Sequence, residues 1–476
     1  MTILTDTIGE YTSAAGVTVD GVGLKDGTVV TDTIVEQTSA NGVDVDGVLL
    51  KDSSVTATGG IGAYTESAVA TQPGMLTPPD ETTINTGDAG TDGVIERLQS
   101  RVLQLEQNLT KLGLIGVRPA TWTVTTTGAA THTITALTVS RQITVDWGDG
   151  STSDYTGSGA RTHNYAGAGT WTVTIADPLA VTALTLSDNK VTLNSADIAP
   201  MANMVTFNAS TLKAGTFDSA DVAAWRPTTF QLYSMPSGYA GTFDSADVTA
   251  WRPTAFLLYS MPTGYAGTFD SADVAAWRPT TFYMYSMPTG YAGTFDSADV
   301  AAWRPTYFYM YSMPSGYAGT FDSADVTAWR PTYFRMNSMP TGYAGTFDSA
   351  DVTAWRPTAF YMYSMPVGTY TIVITANGFA AWSTGLNDFH MQGNSLTQAQ
   401  VDAILWDLYQ AAKVPRTATG GTINVGGTNA APSGTFQAAS ACPVTSSTDG
   451  KEIAHELLND TCAVGFHKWT TVTITA

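Results

Sequence analysis

The residues that could do chemistry recur with a period of 26. Asp218 and Asp221 return in all six copies of the unit G-T-F-D-S-A-D-V-x-A-W-R-P-T-x-F-x-x-x-S-M-P-x-G-Y-A, between about residues 215 and 366. Two carboxylates three residues apart could ligate calcium or act as an acid pair. At the start of a short helix they have a sufficient structural role, because an Asp or Ser side chain there satisfies orphan N–H groups. Arg226 recurs in the same copies, and a stack of like charges repels itself. Pairing of these arginines with the repeated Asp residues along the edge of the stack is therefore expected. Asp146 and Asp149 flank Trp147-Gly148 and read as turn formers. His455, Cys462 and His467 lie close in sequence, but no second Cys stands at a short metal-ligand spacing, so no zinc site is assigned. The sequence contains no Gly-rich phosphate loop, no G-x-S-x-G and no H-E-x-x-H. No catalytic residue, metal or cofactor is expected, and the chain is read as something other than an enzyme.

Comparison of the copies with one another gives a stronger signal. The Phe of each unit is fixed (Phe230, Phe256, Phe282, Phe308, Phe334, Phe360), and two residues on stand only Leu232, Leu258, Met284, Met310, Met336 and Met362. The alternating positions vary. Between those two sites the copies carry Gln231, Leu257, Tyr283, Tyr309, Arg335 and Tyr361. Before the Phe they carry Thr229, Ala255, Thr281, Tyr307, Tyr333 and Ala359, and at the end of the run Tyr233, Tyr259, Tyr285, Tyr311, Asn337 and Tyr363. A fixed inner set and a varied, Tyr-rich outer set are what a contact surface would leave, since exposed Tyr and Arg are enriched where partners bind. The Tyr, Arg, Gln and Leu members of these columns form the candidate binding face, suited to a glycan or a protein surface. For the Tyr233 column, ring stacking that merely stabilises neighbouring strands is an equal account.

These residues need elements to hold them. In one unit, Asp218 or Ser219 opens a short helix, Val222 and Trp225 share its inner face, and Pro227 ends it. Thr229 to Tyr233 alternates as a two-faced strand, and Pro236 and Gly238 turn the chain into the next copy. A single unit has no core, whereas a stack of six has a continuous one. Rungs about 4.8 Å apart would make the six copies roughly 30 Å long.

The rest of the chain divides around this stack, giving a mainly β, elongated, multi-domain reading. Residues 1–60 hold a second repeat, in which Asp6-Thr7-Ile8-Gly9-Glu10 to Lys25-Asp26 returns as Asp32-Thr33-Ile34-Val35-Glu36 to Lys51-Asp52. Residues 61–92 read as a Pro- and Gly-containing linker. In 93–115, Ile95, Leu98, Val102, Leu105, Leu109 and Leu112 follow heptad spacing and read as a coiled-coil seam. So short a helix needs partners, which implies a homo-oligomer of two or three strands. Residues 117–177 read as a β-module, 178–410 as the solenoid with its degenerate flanks, and 411–476 as a cap. Helices are expected at Gln398 to Ala412 and Glu452 to Asn459, and a strand at Trp469 to Thr475.

The formal net charge of −20 argues against nucleic-acid partners and anionic membrane surfaces. No run approaches the ~20 apolar residues of a membrane span, and the N-terminus has no basic and apolar signal pattern. Cys442 and Cys462 allow at most one disulfide.

Three resemblances follow from these residues. Trp147-Gly148-Asp149-Gly150, His163-Asn164-Tyr165 and Gly169-Thr170-Trp171-Thr172-Val173-Thr174 resemble the polycystic-kidney-disease (PKD) type β-sandwich, with Trp171 where that family usually has Tyr. That likeness implies a spacer without chemistry. Leu184-Thr185-Leu186-Ser187-Asp188-Asn189 and Phe389-His390-Met391-Gln392-Gly393-Asn394 resemble leucine-rich repeats, although the central copies put Phe and Met at the Leu sites and Ser-Met-Pro where Asn is usual. The order of β-repeats, linker, coiled coil, spacer, solenoid and cap resembles bacteriophage virion fibres. It implies a homotrimeric tail or head fibre on the particle surface. Its N-terminus would join other virion proteins and its distal solenoid would meet a host-surface glycan or protein. A cellular adhesin, or a capsid-decorating protein with an inert Tyr face, is the alternative.

Overall fold

The computed structural model describes residues 118–382, 385–411, 420–435, 444, 449–459 and 469–476. The N-terminal repeats, the linker, the coiled-coil seam from Ile95 to Leu112, and Cys442, Cys462 and His467 lie outside the described residues.

The alternation within each repeat produces a β-solenoid of about eight turns over residues 183–390. Thr229–Tyr233, Ala255–Tyr259, Thr281–Tyr285, Tyr307–Tyr311 and Tyr333–Asn337 are parallel strands paired in exact repeat register, with Phe256 opposite both Phe230 and Phe282. In each, the second and fourth residues are fully buried. The Phe rings form an unbroken spine, for example Phe230–Phe256 and Phe256–Phe282 at 5.7 Å between centroids. Each Trp of the repeat is buried against this spine, as Trp277 is at 5.1 Å from Phe256. The rung thus has an aromatic interior from two elements, and neither element could be buried without the adjoining turns.

A second parallel ladder runs through Tyr239–Thr242, Tyr265–Thr268, Tyr291–Thr294 and Tyr317–Thr320. Its glycine is obligatory. Gly293 has φ +129, and a Cβ there would lie 2.3 Å from the carbonyl oxygen of Phe269 on the preceding turn. After the other strand, Ser234, Ser260, Ser286, Ser312, Ser338 and Ser364 adopt φ of 51–53, so the Ser-Met-Pro sequence turns the chain through a left-handed residue.

The helical turn differs from the sequence expectation. Ser219–Val222 is a single 3-10 turn that ends well before Pro227, and Asp218 makes no side-chain capping bond to it. The Asp218 carboxylate instead accepts hydrogen bonds from the backbone N–H and hydroxyl of Thr242 on the next turn, at 2.8 and 2.9 Å. The buried Ser219 hydroxyl donates to Asp247 at 2.5 Å and accepts from the Asp244 N–H at 2.8 Å. Stacking brings these donors closer than the turn's own N–H groups, so the Asp and Ser residues tie turns together.

At one end of the solenoid, four antiparallel strands precede it: β1 (Ala120–Thr127), β2 (Ala130–Asp146), β3 (Thr152–Tyr165) and β4 (Ala168–Ile175). β1 pairs with β4, and β2 with β3. β2 also pairs antiparallel with β5 (Val181–Leu186), the first strand of the solenoid, and β1 pairs with β6 (Val191–Asn194). These pairings cover the edge that the first turn would otherwise expose. At the other end, Asp388–His390, Thr422–Asn424 and Thr471–Thr473 continue the parallel ladder. Helices α1 (Gln398–Ala411) and α2 (Gly450–Asn459) close it, close to the expected positions. Buried Asp407 on α1 accepts the backbone N–H groups of Asn377 and Phe379 at 2.9 and 3.0 Å. Among the described residues, no helix is long and apolar enough to cross a membrane.

Candidate ligand-binding face

The odd positions of each strand put three columns of side chains on the outer surface of the sheet. Parallel in-register pairing sets like residues on like: Tyr283 lies beside Tyr309, and Tyr285 beside Tyr311. The spacing between rungs is close to the distance at which aromatic rings stack. Accordingly Tyr233–Tyr259, Tyr259–Tyr285 and Tyr285–Tyr311 stack at 4.8, 4.4 and 4.3 Å, within 16° of parallel. Tyr283–Tyr309 stack at 4.4 Å and Tyr307–Tyr333 at 5.1 Å. The tyrosines expected to be exposed are therefore half-buried, because their rings cover one another and leave edges and hydroxyls outward.

The columns are interrupted in one copy. Where Tyr311 would be followed by another ring stands Asn337, which is only 2% exposed. The Arg335 side chain takes the place of that ring. Its Cζ lies 3.8 Å from the Tyr311 centroid and 5.5 Å from that of Tyr361. Nε donates to Asn337 Oδ1 at 2.9 Å, and Nη2 donates to the Tyr363 hydroxyl at 3.1 Å. Tyr361 in turn stacks on His390 at 4.6 Å. Gln231 lies toward the N-terminal end of the middle column and accepts from Asn208 at 3.0 Å, and Leu257 sits between Gln231 and Tyr283. Every residue proposed for the face thus belongs to one continuous surface.

The electrostatics follow from this crowding. Burial pushes Tyr283 up to about 12, with the adjacent Tyr309 adding to it, and burial with Asp388 nearby does the same to Tyr361. For Tyr311, burial also raises the value, although the Arg335 charge opposes it. Burial lowers His390, so its neutral form is favoured. Asn337, a member of the outer column, and His390 are not part of the binding face read from the sequence. The first was visible as the copy in which Arg335 and Asn337 replace two tyrosines together. The second required aligning Asp388-Phe389-His390 on Ala359-Phe360-Tyr361, a register that the pairing supplies.

The other candidate groups have structural partners. Arg226 Nη1 donates to the carbonyls of Ala223 and Trp225 at 2.9 and 2.6 Å, and the later copies repeat this pattern. The ion pairs among the described residues include none between a repeat Arg and a repeat Asp. The expected Arg–Asp ladder is not formed, because each turn's own carbonyls lie nearer to its Arg and the Asp residues are engaged with the next turn. Asp146 and Asp149 do form their turn, accepting from Gly148 N–H at 2.8 Å and Ser151 N–H at 3.0 Å. Asp149 also contacts His163 at 2.7 Å, but the Ser151 hydroxyl donates to that carboxylate and not to the imidazole, so no nucleophile–base pair results. Buried His132 bonds Asp188 at 2.9 Å and accepts from Trp122 Nε1 at 3.3 Å, which places its proton on Nδ1. Among the described residues, no group of three or more His, Cys, Asp or Glu side chains could hold a metal ion.

The chain matches no family model, no curated protein and no solved structure. The face itself is an in-register array of phenol hydroxyls around a single guanidinium.

Proposed function

We propose that the chain is a bacteriophage virion structural protein, a tail or head fibre displayed on the particle surface, whose solenoid face binds a host-surface receptor. The observation that carries this reading is the distribution of differences between copies. Interior residues repeat almost without change, while the three outer columns vary and collect Tyr and Arg. In this reading residues 93–115 join three chains, residues 1–60 attach to other virion proteins, and residues 117–177 serve as a PKD-type spacer before a leucine-rich-repeat-type solenoid. Neither nucleic acid, membrane insertion, a cofactor nor catalysis has a part in it.

The tight ring stacking favours a second reading. Ladders with covered faces are also what an inert, rigid rod needs, as in a capsid-decorating protein without a receptor. The two are separated by replacing Tyr283, Tyr309 and Tyr361 together with Ala in the full chain and measuring adsorption to host cells. A receptor-binding face predicts loss of adsorption with the β-rich circular dichroism spectrum retained. Unchanged adsorption by the folded variant supports the inert rod. Sedimentation of the intact chain tests the oligomer, and a monomer would contradict it.

A further inference from the structure

We propose that Arg335 is the anion-recognising centre of this face, and that the ligand seated there is an acidic saccharide. The inference rests on the reading of the face as a binding surface and goes beyond it by naming the ligand's chemistry.

The sequence makes Arg335 singular. Across the three outer columns of the six copies it is the one charged residue, and it is a cation in a chain of net charge −20. Among the described residues no carboxylate lies within 4.0 Å of it, the ion pairs there involving other groups. Half-burying a charge without an ion partner costs stability unless something orders it, and here ordering is supplied from three sides. Asn337 fixes Nε, the Tyr363 hydroxyl accepts from Nη2, and Tyr311 covers one guanidinium face. A guanidinium carries five N–H donors, and these bonds use two, which leaves both hydrogens of Nη1 and one of Nη2. That is a pre-oriented fork of the kind that binds a carboxylate, sulfate or phosphate oxygen pair.

The surroundings select a saccharide over a peptide. Tyr309 and Tyr361 stand in the same column on the turns before and after Arg335, where their phenol hydroxyls can exchange hydrogen bonds with sugar hydroxyls. Stacking covers both faces of Tyr259, Tyr285 and, with Arg335, Tyr311, and one face of Tyr283, Tyr309, Tyr307 and Tyr333, so this surface offers hydroxyl groups, ring edges and few open ring faces. Among the described residues, the large hydrophobic residues that are exposed, Val205, Val367 and Val373, lie off the columns. Protein interfaces bury aromatic side chains at their centre, and here the ring faces that could serve as such anchors are largely covered by neighbouring rings. Asp388, two turns beyond Arg335 in the neighbouring column, repels an anion there and confines it to the Arg335 turn.

The test uses the full chain with four probes at low ionic strength: polygalacturonate, dextran sulfate, unsulfated dextran and polyglutamate. The expected result is retention of one or both acidic polysaccharides, weakened by salt, without retention of dextran or polyglutamate. Which of the two binds tells a carboxylate from a sulfate ligand. Arg335→Gln should lower affinity at least tenfold. The decisive variant is Arg335→Tyr with Asn337→Tyr, because it gives this turn the same five strand residues as Tyr307–Tyr311, a strand that already folds in this stack. It should keep its melting temperature and lose the polysaccharide. No binding of either acidic polysaccharide, equal binding of polyglutamate, or undiminished binding by the folded double variant would overturn the proposal. Host adsorption separates the two readings. If the triple Tyr variant fails to adsorb while the Arg335/Asn337 double variant adsorbs normally, the acidic ligand is wrong and the binding face stands. If both adsorb normally, both are wrong.

Discussion

The guanidinium carbon of Arg335 lies 3.8 Å from the centre of the Tyr311 ring, in the place a fifth stacked tyrosine would occupy. Asn337 is too short to continue the ladder, and Arg335 leans across from the adjacent column to fill the gap while Asn337 accepts its Nε–H. The pair of substitutions in this copy is therefore one structural event. Arg335→Ala should uncover Tyr311 and leave the Asn337 oxygen unsatisfied, at a cost of about 1–3 kcal/mol by the worth of a cation–π contact and a charged hydrogen bond. Chemical denaturation of the variant and the parent chain checks it, and equal midpoints would show that Arg335 bears no structural load.

Glycine content on the second ladder is a matter of space. Gly293→Ala would force a Cβ to 2.3 Å from the Phe269 carbonyl oxygen at φ +129. A loss of roughly 3 kcal/mol is expected from strain and overpacking. At Gly290 the nearest atoms to such a Cβ are 3.3 and 3.4 Å away, so Gly290→Ala should cost much less. Thermal melting of the two variants side by side measures the difference.

The buried hydroxyl of Tyr291 has no hydrogen-bond partner among the described residues, whereas that of Tyr343 donates to the Phe295 carbonyl at 3.3 Å. Removing an unpaired buried polar group relieves its desolvation cost. Tyr291→Phe should be neutral or stabilising by about 1 kcal/mol, and Tyr343→Phe neutral or mildly destabilising. A clear loss of stability in Tyr291→Phe would indicate a partner for that hydroxyl.

Because every turn presents the same buried surface to both neighbours, one copy should be removable. Deleting residues 293–318 joins Ala292 to Gly319 in the repeat's own register. The expected product is a folded chain shorter by one rung, about 4.8 Å along the solenoid. Circular dichroism and small-angle scattering test both parts, and an unfolded product would mean that the copies are not equivalent.

The tyrosine ladders predict alkaline behaviour. Burial and crowding raise Tyr283 and Tyr361 to about 12, above the usual value of about 10. A group whose folded value is raised contributes stability that is complete below its unfolded value and is lost as pH rises through the folded one. Stability should therefore fall between about pH 10 and 12, with part of the tyrosinate absorbance appearing only on unfolding. Ultraviolet titration followed by melting at each pH would show this, and normal titration of all tyrosines in the folded chain would contradict it.

The repeat, its strand and the inward Phe and Leu or Met residues are all readable without the tertiary structure. A strand's side chains alternate strictly, so a fixed residue beside a varying one states which face is buried. The sequence also located both helices of the C-terminal end and the turn at Asp146 and Asp149, where local signals act on neighbouring residues. Of the contacts between turns, the stacked core and, as one of two accounts, the Tyr233 ladder were legible, but the polar ties were not, because they join residues about 26 apart through geometry no local pattern carries. Asp218 looks like a helix cap until the next turn places Thr242 nearer to it. The tyrosines look exposed until the rung spacing, close to the stacking distance of two rings, closes their faces against each other. The outward position of Arg335 was readable from alternation, but its orientation came only from Asn337, Tyr311 and Tyr363, which parallel in-register stacking brings around it.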